Sequence, residues 1–152
     1  ISLTVQESSN LALLEAGDIV YVARANVPRL MNTPIEPGTR LPAHTTSTGR
    51  VLLAALPRPA LTDWLAHHQA LPRLTPHTTT GTRAFKALLA QVASEENELG
   101  VHALAVPLRN AQGATVAALN VIVPPARFSD ALMQQELLPR LREAARELRQ
   151  ML

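Results

Sequence analysis

The 152 residues include no cysteine, so no disulfide can staple this chain and no thiolate can hold a metal. A reducing interior is the compatible compartment, and the cytoplasm is the expected one. No stretch approaches the roughly 18 apolar residues that a membrane-spanning helix needs, so no membrane partner is expected. The opening "ISLTVQESSNLALLE" lacks the basic-then-apolar layout of a secretion signal. It also lacks a methionine and reads as if it began in mid-chain. Lysine is nearly missing: 13 arginines and Lys86 face 12 acidic residues, for a net charge of only +2 despite a pI near 9.9. So small a surplus gives no footprint for nucleic acid. The histidines at 44, 67, 68, 77 and 102 lack ligand spacing, so no metal is expected. No serine has a placed base and orienter, and no carboxylate pair flanks a cleft; neither an enzyme nor a cofactor is expected. What the chain does have is 47% hydrophobic residues, enough for one domain with a real core.

The elements read in order as follows. "NLALLEAGDIVYVARA" gives two strands about the turn Ala16-Gly17-Asp18. A strand near residues 29–35 is followed by a loop broken at Pro34, Pro37-Gly38 and Pro42. A helix over 45–56 stops at Pro57, and a second starts on Pro59. "LPRLTPHTTTGT" is loop. "RAFKALLAQVASEENEL" is a third helix closed by Gly100. "VHALAVPLR" and "ATVAALNVIVP" are strands joined by Asn110–Gly113. The last segment is a long helix capped by Ser129 or Asp130 and kinked or split at Pro139. Its Arg140, Arg142, Arg146 and Arg149, interleaved with Glu136, Glu143 and Glu147, read as a solvated face. The fold class is α+β: a mainly antiparallel sheet with helices against it.

The central hairpin is informative. With Asn110 and Gly113 closing the turn, Ala103 is expected opposite Asn120, Ala105 opposite Ala118, and Val101 opposite Ile122. Alternation puts these six on one face and Leu104, Val106, Leu108, Leu119 and Val121 on the other. The bulky face fills a core. The face of alanines and a lone amide either holds space for a ligand or receives a bulky helix side chain.

"HTTSTG", residues 44–49, crowds hydroxyls where a helix begins. Thr45, Thr46 and Ser47 are all competent N-caps. A helix start exposes unbonded amides at the positive end of its dipole, which suits an anion. The amides of Ser47, Thr48 and Gly49 could hold a carboxylate, with Thr46 adding its hydroxyl and Asn120 reaching the far end. An ordinary capped helix fits the same residues. His44 reads as a loop brace beside this segment or as a further contact to the effector. Arg24, expected on the Val20–Val22 face, reads as a surface or dimer ion pair or as a bidentate carboxylate partner. Trp64, spaced with Leu61 and Leu65, reads as core.

"GTRLPAHTTSTGRVLLAAL", "ENELGVHALAVPLRNAQGATVAALNVIVPPARFSD" and "DIVYVAR" together resemble the effector-binding domain of IclR-type bacterial transcriptional regulators. The look is closest to the branch that answers aromatic catabolites such as protocatechuate and 4-hydroxybenzoate. The resemblance covers essentially all of residues 1–152 and implies a single GAF-like effector domain with a curved sheet. It implies a winged helix-turn-helix in front, absent from this chain, through which alone DNA is bound. It implies a small carboxylate effector, a homodimer or tetramer, and no cofactor. It places the family's carboxylate-binding amides at Ser47 and Thr48, and further pocket positions at Ala103, Asn120 and Ile122. A GAF-like dimerisation or signalling module without an effector is the alternative. One departure stands out: about eight to ten residues are missing near Val92–Glu95. A loop left out of this sequence is the favoured account, because the helix would otherwise run straight into a strand.

Overall fold

The structure is a computed structural model and describes residues 8–25, 36–68, 81–95, 98–99, 103–123 and 129–151. Strand β1 (Ser9–Glu15) turns back through Ala16 and Gly17 into β2 (Asp18–Ala25). Glu15 pairs with Asp18, so the turn has two residues, and Ala16 takes a left-handed φ of 54°. β3 (Arg40–Pro42) pairs with β2, and a single 3-10 turn (Ala43–Thr45) leads to α1 (Ser47–Ala54). Then come α2 (Arg58–His67), α3 (Thr82–Glu95) and β4 (Glu98–Leu99). The hairpin of β5 (Ala103–Arg109) and β6 (Thr115–Ile122) follows. The chain closes with a short α4 (Asp130–Leu132), a π turn (Met133–Leu137) and α5 (Leu138–Arg149). The sheet runs β3-β2-β1-β6-β5-β4, every pair antiparallel.

Strand alternation splits the core into two layers. On one face Ala12, Tyr21, Ala105 and Ala118 meet Val51 and Leu53 of α1, Trp64 of α2, and Phe85 and Leu89 of α3. On the other, Leu104, Val106, Leu119 and Val121 meet Met133, Leu137 and Leu141. The alanines let α1 lie close to the sheet. Trp64 is core, as its spacing implied, and its indole N–H donates to the Ala16 carbonyl at 2.8 Å. That bond ties α2 to the first turn and satisfies the one polar atom the ring buries.

Several boundaries differ from the sequence reading. Residues 29–35 and 69–80, with His77, Val101 and His102, lie outside the described residues. Arg40–Pro42, read as loop, is an edge strand, a place where Pro42 needs no donor. The first helix starts at Ser47 rather than 45, because Thr46 adopts φ −117° and ψ 148° and caps it. α3 ends at Glu95 and β4 opens at Glu98. Glu98 and Leu99 pair with Ala105 and Leu104 rather than extending the helix to Gly100.

The β5–β6 pairing is shifted by two from the expected one. Asn110 closes the loop on Ala114, Gly113 takes φ 83°, and a bulge lies between Leu108 and Arg109. Ala103 therefore faces Ile122, and Ala105 faces Asn120. A shift of two keeps every side chain on its expected face.

Pro139 breaks the last helix as expected: the chain widens into the π turn just ahead of it, which accommodates the missing N–H. The Ser129 hydroxyl caps α4 by accepting from the Leu132 amide at 3.2 Å. On α5, Arg146 pairs with Glu143, while Arg142 and Arg149 donate to the carbonyls of Glu95 and Ala111. Among the described residues no helix is long and apolar enough to cross a membrane. Nor do three or more metal-binding side chains cluster there.

Candidate functional site

The start of α1 sits over the small-residue face of the sheet. The Thr46 hydroxyl accepts from the Gly49 amide at 2.9 Å, so it closes the first turn from within. This uses the third free amide of the helix. Gly49 is thus removed from the expected anion contacts, and Thr46 is occupied as a cap. The amides of Ser47 and Thr48, the first two of the helix, make no protein hydrogen bond among the described residues. Ser47 is 6% exposed and Thr48 fully buried. Two buried donors at the positive end of an eight-residue helix remain for an anion.

Beside them runs a directed row of side chains. Asn10 on β1 lies opposite Asn120 on β6, and its amide nitrogen donates to the Asn120 oxygen at 2.9 Å. That oxygen being taken, the Asn120 nitrogen is the atom that faces the Tyr21 hydroxyl, which is also bonded to Thr48. The Thr48 hydroxyl reaches Thr46 at 3.5 Å, and Thr46 in turn reaches the Ala43 carbonyl. Asn10, Asn120 and Thr48 are all at most 2% exposed. So long a buried polar row beneath one helix start far exceeds what capping requires.

A bulge brings Arg24 to this row. The β1–β2 register shifts between Leu11 and Ala12: Tyr21 pairs with Ala12, but Arg24 pairs with Asn10. The extra residue in β2 flips the strand's parity. Arg24 thus leaves the Val20–Val22 face on which the sequence placed it and joins the Asn10 face, where its charge acts on Tyr21. His44 is buried, edge-on to Phe85 with centroids 6.3 Å apart, and its carbonyl accepts from Arg50; it braces the turn before α1. Ala103 and Ile122 face each other half-buried, two residues along from Ala105 and Asn120.

Asn10 and Tyr21 were missed by sequence reasoning. A signal existed: both share inward parity with Ala12 and Ile19 in strands otherwise apolar at those positions. Burial pushes the Tyr21 phenol above its ordinary 10.0, against hydrogen bonds from Thr48 and Asn120 and the charge of Arg24. The folded chain therefore holds this proton longer than the unfolded one. The resulting stability is intact below pH 10.0 and is lost as pH climbs through the folded value. The parent should lose melting temperature above that pH more steeply than Tyr21→Phe, in which the single tyrosine is gone. Equal alkaline slopes in thermal melts would refute a buried phenol.

The chain belongs to the IclR family. The model of the family's C-terminal domain, "Bacterial transcriptional regulator IclR C-terminal", matches residues 1–150. The p-hydroxybenzoate hydroxylase transcriptional activator of Acinetobacter baylyi is 40% identical over 152 residues, covering 92% of this chain and 56% of that protein. The Pca operon regulatory protein of the same organism is 40% identical over 163 residues, 99% of this chain and 58% of that one. The chain thus spans little more than half the length of these relatives. Because 163 aligned positions exceed 152 residues, at least 11 residues of that relative have no counterpart here. Among solved structures, the inducer-binding domain of the PobR transcription factor from Acinetobacter, a double mutant in complex with 3-hydroxybenzoic acid, superposes with a TM-score of 0.88. It is 36% identical and the match covers 99% of this chain and 92% of that one. These relatives are transcription regulators.

Proposed function

We propose that this chain is the effector-sensing domain of a bacterial transcription regulator and that it binds a small aromatic carboxylate. The carboxylate rests on the amides of Ser47 and Thr48, with Arg24 supplying countercharge and the Tyr21–Asn120 row lining the site. Ala103 and Ile122 form its apolar edge, and His44 holds the turn from which α1 departs. In the full-length protein a winged helix-turn-helix precedes the domain and makes the DNA contacts, in a cytoplasmic homodimer or tetramer. The domain itself performs no chemistry.

The observation that carries this reading is the pair of buried, unclaimed amides at the start of α1 beside a buried polar row. The complex of the PobR domain with 3-hydroxybenzoic acid and the identity to the p-hydroxybenzoate hydroxylase activator support the aromatic class. A ligand that binds only the folded state raises the melting temperature by mass action, about 2.7 kcal/mol at a hundredfold excess over Kd. Benzoate and hydroxybenzoates are expected to raise it, and the corresponding benzamides are not, because only the acids carry the charge. Melting temperatures unchanged by any of these acids at millimolar concentration would overturn the proposal.

A further inference from the structure

Asn10 is 1% exposed, and its side-chain oxygen accepts no hydrogen bond from any described residue. Leaving a buried carbonyl oxygen unfilled is costly, so such atoms call for an explanation. Reversing the amide does not remove the problem. It would set the Asn10 oxygen against the Asn120 oxygen at the 2.9 Å now spanned by a hydrogen bond. Reversing Asn120 as well would turn its oxygen to Tyr21 and its nitrogen to Asn10. Tyr21 could donate to that oxygen, but Asn10 would still have an amide end unmatched. The row begins at Asn10 in every arrangement, and as observed its open end is an acceptor.

Asn10 sits on the same sheet face as Tyr21 and Asn120. It pairs across the sheet with Arg24 on one side and Asn120 on the other, at the far end of the row from the α1 amides. We infer that Asn10 recognises a hydroxyl group on the effector: its Oδ1 accepts the ring O–H while the carboxylate is held at Ser47 and Thr48. This rests on the effector reading above and narrows it to hydroxylated aromatic acids. A site built to bond a hydroxyl discriminates against the analogue lacking it, because its own buried group is then left unpaired. A methoxy group is the sharpest probe, since it keeps the oxygen and removes the donor.

Calorimetric titration of the protein with 3- and 4-hydroxybenzoate, their methoxy counterparts and benzoate tests this. The preferred hydroxybenzoate should bind at least tenfold more tightly than its methoxy counterpart and than benzoate. Asn10→Leu, which supplies volume without an acceptor, should reduce the preference to within about twofold; Asn10→Ala serves if the leucine variant does not melt cooperatively. Binding of benzoate as tight as that of both hydroxybenzoates to the parent would overturn the role of Asn10 while leaving the effector site standing, and needs no variant. So would a full preference retained in a folded Asn10 variant. Binding of no acid at all would overturn both readings.

Discussion

Gly49→Ala is expected to lower the melting temperature by roughly 6–12 °C, corresponding to about 3 kcal/mol or more at 2–4 °C per kcal/mol for a domain of this size. A Cβ at this position would lie 2.0 Å from the Ala43 carbonyl oxygen and 2.6 Å from two further Ala43 backbone atoms. None of these is a flexible side-chain end, so either α1 or the 3-10 turn must move. Two effects oppose each other. Alanine favours a helix over glycine by about 1 kcal/mol, but overpacking against backbone exceeds that. The same displacement would shift the Ser47 and Thr48 amides, so carboxylate-induced stabilisation should fall with it. A melting temperature equal to the parent's, measured by calorimetry, would show that α1 does not approach the turn so closely.

Ser47→Pro is the complementary experiment, with stability kept and affinity lost. Ser47 is the first residue of α1, where the helix makes no use of its N–H and proline's fixed φ fits. Thr46 ahead of it already has φ −117° and ψ 148°, the extended backbone that a following proline demands. Folding should change by less than about 1 kcal/mol. A charge-assisted hydrogen bond lost from the carboxylate is worth about 1.5–3 kcal/mol, a tenfold to hundredfold loss of affinity. Ser47→Ala, which removes the hydroxyl and keeps the amide, should bind nearly as the parent does. Equal affinity of the proline variant and the parent would show that the carboxylate does not use this amide. Asn120→Leu is a poorer probe. It strands the Asn10 amide and takes one of two partners from the Tyr21 hydroxyl, so a loss of binding would be mixed with a loss of stability.

The layer arrangement was legible because it depends only on parity. Ala103, Ala105 and Asn120 fall on one face and Leu104, Val106 and Val121 on the other whether the hairpin closes at Gly113 or Ala114, given the bulge beyond it. What parity cannot show is where a strand breaks its own alternation. Arg24 was assigned to the wrong face because the register shift at Leu11/Ala12 has no sequence signature of its own; neither glycine nor proline marks it. β3 was hidden by Pro37, Gly38 and Pro42, which read as loop because edge strands tolerate such residues. At the candidate site, the hydroxyls of "HTTSTG" announced a capped helix, but not which amide the cap would use. Thr46 spends its oxygen on Gly49, a choice set by the backbone angles at one residue. Asn10 stood at an inward position of β1 from the start. Its role emerged only when the pairing set it opposite Asn120, since a buried asparagine becomes informative through what fails to bond to it.

The brevity of β4 bears on which copies of this chain could pair edge to edge. Its two residues pair only with Leu104 and Ala105, so among the described residues the outer side of β5 from Val106 to Arg109 has no strand beside it. An open, apolar edge is a template for stacking further copies into fibrils or precipitate. Here that stretch carries Pro107, which offers no N–H to an incoming strand, and ends at Arg109, whose charge would repeat unfavourably in a stack. On that stretch of β5 these two residues would oppose the addition of a strand from another copy.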